Sequence, residues 1–299
     1  MESSRAAPAA VAAPGLRQVV ADYATLTKPK VQSLLLLTTV TTMYVAATPP
    51  LWLVVATCIG GYLSAGGAGA INHFYDRDID AGMKRTATRP IPAGRIAPRS
   101  ALIFGVVLAV LAFAWLSLTV NVLAAVLSFS GFLGYVFVYT IWLKRSTPRN
   151  IVIGGAAGAV PPLVGWAAAT GSLSWTAVYL FAIVFFWTPP HFWALSLLMK
   201  DEYAKVGVPM LPVVRGEAET RRQILLYTVL VFTLSFLPAC VGLFNWTYHV
   251  AAWLLGGTFI ALAVVLYRRA DRRSALRLYL YSLLYLALLF GAMVAAARL

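Results

Sequence analysis

Nine apolar stretches, each long enough to cross a bilayer, constrain this chain more than any other feature. They fall near residues 31–48, 51–71, 100–118, 121–143, 151–170, 175–198, 224–244, 248–267 and 277–297, and a helix spans the hydrocarbon core with roughly 17 to 25 residues. The pattern predicts an all-α, polytopic membrane protein, a bundle of nine transmembrane helices. Composition agrees: 61% of the residues are hydrophobic, 11% are charged and the mean hydropathy is +0.79, which together exclude an ordinary soluble domain.

Lys and Arg accumulate on the cytoplasmic side of membrane proteins, and here they check the span count independently. Nine spans with a cytoplasmic N-terminus place Arg5, Arg17, Lys28, Lys30, the six basic residues of 77–99, Lys144, Arg145, Arg149, the five of 200–222 and the five of 268–277 on one side, leaving only Arg298 on the other. The net charge of +14 therefore reports topology and contact with anionic headgroups, not binding of nucleic acid. Residues 1–22, rich in Ala and Pro and without a continuous apolar h-region, read as a disordered cytoplasmic tail, followed by a single intramembrane domain over 23–299. Cys58 and Cys240 lie far apart inside apolar spans, with no CxxC or Cys/His spacing, so neither a disulfide nor a zinc site is expected.

Polar chemistry collects in two loops. In INHFYDRDIDAGMKRTATRPIPAG, residues 71–94, Asn72, Asp76 and Asp80 recur every four residues; on a helix that spacing drifts only about 40° per step, so the three share a face. Asp78 points elsewhere. Two carboxylates and an amide make an all-oxygen set of the kind that holds Mg²⁺ beside substrate phosphates, and Lys84, Arg85 and Arg89 suit phosphate oxygens. The second loop, MKDEYAKVGVPMLPVVRG, carries Asp201, Glu202 and Lys205 and is followed directly by Glu217 and Glu219, so that with Asp76, Asp78 and Asp80 seven of the ten acidic residues sit in these two loops. Solvated helix ends are the competing explanation of both. The loops follow the second and sixth spans on the same side, an offset that suggests two similar halves. Facing one shared cavity, they would clamp a diphosphate through Mg²⁺ while it leaves. Departure from an allylic carbon creates a carbocation, which needs a dry cavity with aromatic faces. Phe74, Tyr75, Tyr135, Tyr139, Trp166, Trp187, Phe192 and Trp193 are the candidates, against ordinary packing.

His191 lies about 12 Å from the cytoplasmic end of its span at 1.5 Å per residue, deep for an ionisable group. Imidazole is a common haem-iron ligand; alternatively, Pro189 and Pro190 interrupt the helix and free carbonyls for its N–H. His73 stands one residue off the Asn72 face, and His249 lies near the opposite membrane side.

The NxxxDxxxD pattern of Asn72, Asp76 and Asp80 followed by RTATRPIPAG resembles the intramembrane aromatic prenyltransferases of the UbiA superfamily. The segments YTIWLKRSTPRNIVIGGAAGAVPPLVGWAAATG (139–171), WTPPHFWALS (187–196) and DEYAKVGVPMLPVVRG (201–216) resemble its haem-modifying branch. The resemblance implies a nine-helix bundle in the inner membrane with its active-site loops cytoplasmic. It also implies transfer of farnesyl from farnesyl diphosphate to a vinyl group of haem B, giving haem O, with Mg²⁺ as cofactor. Haem A synthase or terminal-oxidase assembly proteins are implied as further partners. Asn72, Asp76 and Asp80 match the first metal–diphosphate motif and Asp201 the start of the second. The second motif often reads DxxxD, but position 205 is Lys, so Lys205 would touch diphosphate directly or Glu202 would supply the missing oxygen. Lys144, Arg145 and Arg149 share the rim and would pair with diphosphate or haem propionates, unless they serve topology alone. Two rival readings are a related enzyme with another aromatic acceptor, such as a phenolic acid in quinone synthesis, and a transporter. A transporter would gather its polar residues near the midplane.

Overall fold

The computed structural model describes residues 15–240 and 244–298, with the side chains of 238–240 excepted. Long helices stand at all nine expected spans: α2 (Pro29–Ala46), α3 (Leu51–Tyr75), α5 (Pro98–Thr119), α6 (Val122–Leu133) with its π-helical extension Gly134–Leu143, α8 (Asn150–Thr170), α9 (Trp175–Leu198), α12 (Gly216–Cys240), α13 (Trp246–Arg269) and α14 (Arg272–Ala296). Among the described residues, seven of these are long and apolar enough to cross a membrane by length and composition alone. The other two, α2 and α12, carry polar residues: Lys30, Gln32 and several Thr in α2, and Glu217, Glu219, Arg221 and Arg222 in the first turns of α12. Local chemistry sets the ends. Pro29 and Pro98 open their helices, where the missing N–H costs nothing. Asn121, Ser174, Asn245 and Asp271 cap theirs by accepting from a backbone N–H three residues on.

The five remaining short helices lie in the connections at one end of the bundle: α1 (Leu16–Leu26), α4 (Arg77–Gly82), α7 (Lys144–Ser146), α10 (Lys200–Lys205) and α11 (Leu211–Val214). The expected disordered tail therefore needs correction. Its boundary at residue 22 falls inside α1, whose Asp22 is buried against Arg95 at 3.0 Å; residues 1–14 lie outside the described residues. Cys58 is a free thiol, and the side chain of Cys240 is outside what is described.

Two groups of helices pack side by side. α9, α12, α13 and α14 surround one large core that includes Leu180, Trp187, Phe259, Tyr285 and Leu289. α2, α3, α5, α6 and α8 form the other group, and α2 and α8 bridge to α14 and α9. Small residues bring backbones together, as is usual where lipid supplies no hydrophobic drive between helices. A Cβ on Gly67 would lie 2.7 Å from the carbonyl of Gly105, and one on Gly165 would lie 2.3 Å from that of Thr39. Pro189 and Pro190 do not interrupt α9, which runs unbroken from Trp175 to Leu198; neighbouring helices hold the chain in helical form despite the missing donors.

Candidate active site

Two backbone hydrogen bonds carry the helical register of α3 into α4: Asp76 N–H donates to Asn72 O (2.9 Å) and Asp80 N–H to Asp76 O (2.8 Å). The four-residue step therefore survives the joint. Asn72, Asp76 and Asp80 retain 3%, 1% and 3% exposure, whereas the Asp78 side chain is 62% exposed.

The buried face is crowded with cations. Asn72 Nδ2 donates to Asp76 Oδ2 (2.7 Å) and to Thr140 Oγ1 (3.1 Å). The Lys28 ammonium donates to Asn72 Oδ1 and to the Tyr135 hydroxyl (3.3 Å), and Lys144 pairs with Asp76. Arg89 holds both oxygens of Asp80 at 2.7 and 2.8 Å. Arg145 forks onto Asp78, both bonds at 2.7 Å, and also donates to Tyr75 O. Outside the cluster the Asp78 carboxyl is pulled down to about 2 by Arg145. Burial, reinforced by the like charge of Arg89, pushes Lys28 down to about 8. Lys28, Arg89, Lys144 and Arg145 thus oppose the carboxylates of Asp76, Asp78 and Asp80, an excess of positive charge that suits a polyanion.

Other expected residues stand apart. Lys84, Arg85, Arg149, Asp201 and Lys205 are exposed. Glu202 is half-buried, with Oε2 buried and without a partner; its neighbour Tyr203 is 5% exposed, and burial raises its phenol. The two loops do meet, since a Cβ on Gly82 would lie 2.6 Å from Val206. His73 is 1% exposed with neither ring nitrogen partnered, and His249 Nε2 is also buried and unpartnered. Among the described residues no three His, Cys, Asp or Glu side chains converge on one point. Asn72 and Asp76 nonetheless make a hard, all-oxygen pair, and Asp76 Oδ1 is buried without a hydrogen bond, with Arg145 Nη2 at 3.8 Å. That donor set fits Mg²⁺ held by one carboxylate with substrate phosphates completing the sphere.

Two members of the cluster escape a sequence reading. Lys28 precedes a helix-opening Pro and looks like any lysine at the end of a span; Thr140 reaches Asn72 because the π-helical segment Gly134–Leu143 re-aims its side chains, a device frequent at functional sites. The backbone at Lys28 is left-handed (φ 56°, ψ 57°), uncommon for a residue with a Cβ.

Below Lys28 and Tyr135 an apolar cleft runs between α2, α3, α6 and α8, with about 890 Å³ of atom-free space including the part open to solvent. α2 lines it with Val31, Leu35, Leu36 and Thr39, α3 with Gly61, Ser64, Ala65 and Ala68, and α8 with Ala157, Gly158 and Val164. His191 is not part of this lining. It sits at the α9–α14 seam, where Ser282 Oγ meets its Nδ1 at 2.7 Å and the ring stacks between Trp187 (4.4 Å) and Tyr279 (4.9 Å). Ser282, rather than a carbonyl freed by proline, is its partner.

The UbiA prenyltransferase family matches residues 35–293. A relative in Deinococcus radiodurans, named protoheme IX farnesyltransferase, is 53% identical over 90% of this chain and 90% of its own length. One of the same name in Symbiobacterium thermophilum is 55% identical over 93% and 94%. Against a third of that name, in Chloroflexus aurantiacus, identity is 56% over 94% of this chain, but the chain spans only 48% of that relative's length. Two solved structures share the fold. One, from work on digeranylgeranylglyceryl phosphate synthase, superposes with a TM-score of 0.78 at 18% identity, over 94% of this chain and 100% of that one. The other, a UbiA homologue from Archaeoglobus fulgidus bound to DMAPP and Mg²⁺, gives 0.67 at 15% identity over 91% and 99%. A bundle of long helices, a buried Asn–Asp–Asp face at the mouth of an apolar cleft, a family match over residues 35–293 and two relatives matched nearly end to end lead to one conclusion: the chain belongs to the UbiA prenyltransferase family.

Proposed function

We propose that the protein transfers the farnesyl group of farnesyl diphosphate to a vinyl group of haem B, forming haem O. The observation that carries this reading is the juxtaposition of a buried, cation-rich polar face with an apolar cleft that opens beside it, the two halves of a prenyl diphosphate. The names of the relatives at 53–56% identity support farnesyl and protohaem as the two substrates.

The diphosphate lies among Lys28, Arg89, Lys144 and Arg145, with Lys84, Arg85 and Lys205 at the rim. Asn72 and Asp76 would hold Mg²⁺, with Asp80 one helical turn on and Glu202 in reserve from the second loop, and the ion would supply Lewis-acid neutralisation of diphosphate charge; Asp201 and Arg149 act at the entrance. The C–O bond at farnesyl C1 breaks with its electron pair on the diphosphate, and the four cationic side chains stabilise that charge where it develops. Tyr135 and Tyr139, ring centroids 5.4 Å apart, present aromatic faces to the allylic cation. The terminal vinyl carbon of haem B attacks C1. The carbon left cationic beside the porphyrin takes hydroxide from water, which releases one proton. His191 faces the haem, with Nδ1 fixed by Ser282 and Nε2 free for the iron. The basic end of the bundle faces the cytoplasm of an inner membrane, and haem O passes to haem A synthase or an oxidase assembly partner.

Incubating the purified protein in detergent with haem B, farnesyl diphosphate and Mg²⁺, then separating haems by chromatography and mass, tests the reading. Haem O should form, and EDTA should abolish it. Transfer to a phenolic acid with haem B untouched would assign another acceptor; release of no diphosphate at all would overturn prenyl transfer.

A further inference from the structure

The lining of the cleft reaches as far as Thr39 on α2, Gly61 on α3 and Val164 on α8. Asn72 to Gly61 on α3 and Lys28 to Thr39 on α2 are each eleven residues, so at 1.5 Å per residue both helices put the floor about 16 Å below the polar face. The closure is structural. α2 and α8 meet backbone to backbone at Thr39 and Gly165, and behind that crossing Met43 (0% exposed), Val54, Val164 and Ala167 pack into one cluster. An extended farnesyl chain has eleven bonds from C1 to C12; with carbon–carbon bonds of about 1.5 Å advancing roughly 1.25 Å each, it reaches about 14 Å. A fourth isoprene unit adds about 5 Å on the same advance and would run into the floor. A chain of two units would end about 7 Å short of it.

We propose that Thr39 and Val164, backed by Met43, act as a ruler that fixes the prenyl donor at three isoprene units. The inference rests on the cleft being the prenyl site, the reading given above, and extends it to the residues that set specificity. Ala65 lies seven residues below Asn72 on α3 and lines the cleft, about 10 Å down, level with the third unit.

Competition of geranyl, farnesyl and geranylgeranyl diphosphates against labelled farnesyl diphosphate, measured without haem, tests the ruler separately from the acceptor. The wild type should prefer the three-unit chain. Ala65→Leu, which adds atoms to open space, should cost farnesyl and geranylgeranyl at least roughly tenfold relative to geranyl, as misfit of even a methylene does in an apolar pocket. Met43→Ala and Val164→Ala should improve geranylgeranyl relative to farnesyl by about as much. If these two variants fail to fold, Ala65→Leu alone decides. Equal competition by all three chains, or an unchanged ranking in Ala65→Leu, would overturn the ruler even if haem O forms; altered rankings with haem B unmodified would uphold it and remove the acceptor.

Discussion

Asp76 and Asp78 are two positions apart and live in opposite surroundings, one buried against Lys144, the other mostly exposed against Arg145. Their substitution should separate them. Asp76→Asn and Asp80→Asn are expected to lower turnover by roughly a hundredfold or more, the usual cost of losing one preorganised charge contact, while Asp78→Asn loses far less; a more damaged Asp78→Asn would show that the buried face is not the reactive one. His191 is tested by dissociating its two ligands. His191→Ala should weaken haem binding or shift the haem spectrum with farnesyl diphosphate affinity nearly intact, and Asp76→Asn should do the reverse. Equal loss of both ligands would return His191 to a packing role between Trp187 and Tyr279.

At the scale of elements, the loop after α4 is tied down by Ile91 and Ile96, which pack against Leu26, Ala70 and Ala101, and by Arg95 on Asp22. The Arg95 guanidinium holds the Asp22 carboxyl below its usual 3.8, so this pair stabilises the fold above that range and the contribution disappears as pH falls through the lowered value. Asp22→Asn should lower stability at neutral pH by about 1 kcal/mol, Arg95 being partly exposed, and should flatten the acid side of the stability profile; an unchanged acid limb would refute the assignment. The α2–α8 crossing is less forgiving. Gly165→Ala must push the two helices apart, an overpacking cost of about 1–3 kcal/mol, visible as a lower thermal midpoint. The spans were legible in sequence because some twenty apolar residues in a row admit one main solution in lipid; α9 begins and ends where hydropathy puts it. Its prolines misled, because a helix buried among others keeps its shape without every hydrogen bond. The π-helical segment left no trace in residue types, since one extra residue per turn changes direction and not composition.

For the molecule as a whole, the two acid-bearing loops share one end. The 72–99 and 199–223 loops touch through Gly82 and Val206, and Lys144 and Arg145 of the loop between α6 and α8 reach Asp76 and Asp78. Cysteine labelling in vesicles should find all three loops accessible from one side, and opposite sides for the first and third would break the site apart. The Asn–Asp–Asp face could be read from spacing alone, because four-residue steps translate directly into a shared direction. The cations that close on it could not, since the rule that gathers basic residues on one side already accounts for each of them. Lys28 shows what that masks. Its main chain has the handedness that glycine adopts freely and other residues adopt at about 1–2 kcal/mol, so the two ways of deleting its ammonium should part company. Lys28→Gly should be more stable than Lys28→Ala by about 1 kcal/mol, read as a higher unfolding midpoint, although both lose the charge and the activity. A protein refined for durability alone would carry glycine at that corner; on the proposed function, the lysine gives up resilience for charge, a trade written into the twist of a single residue.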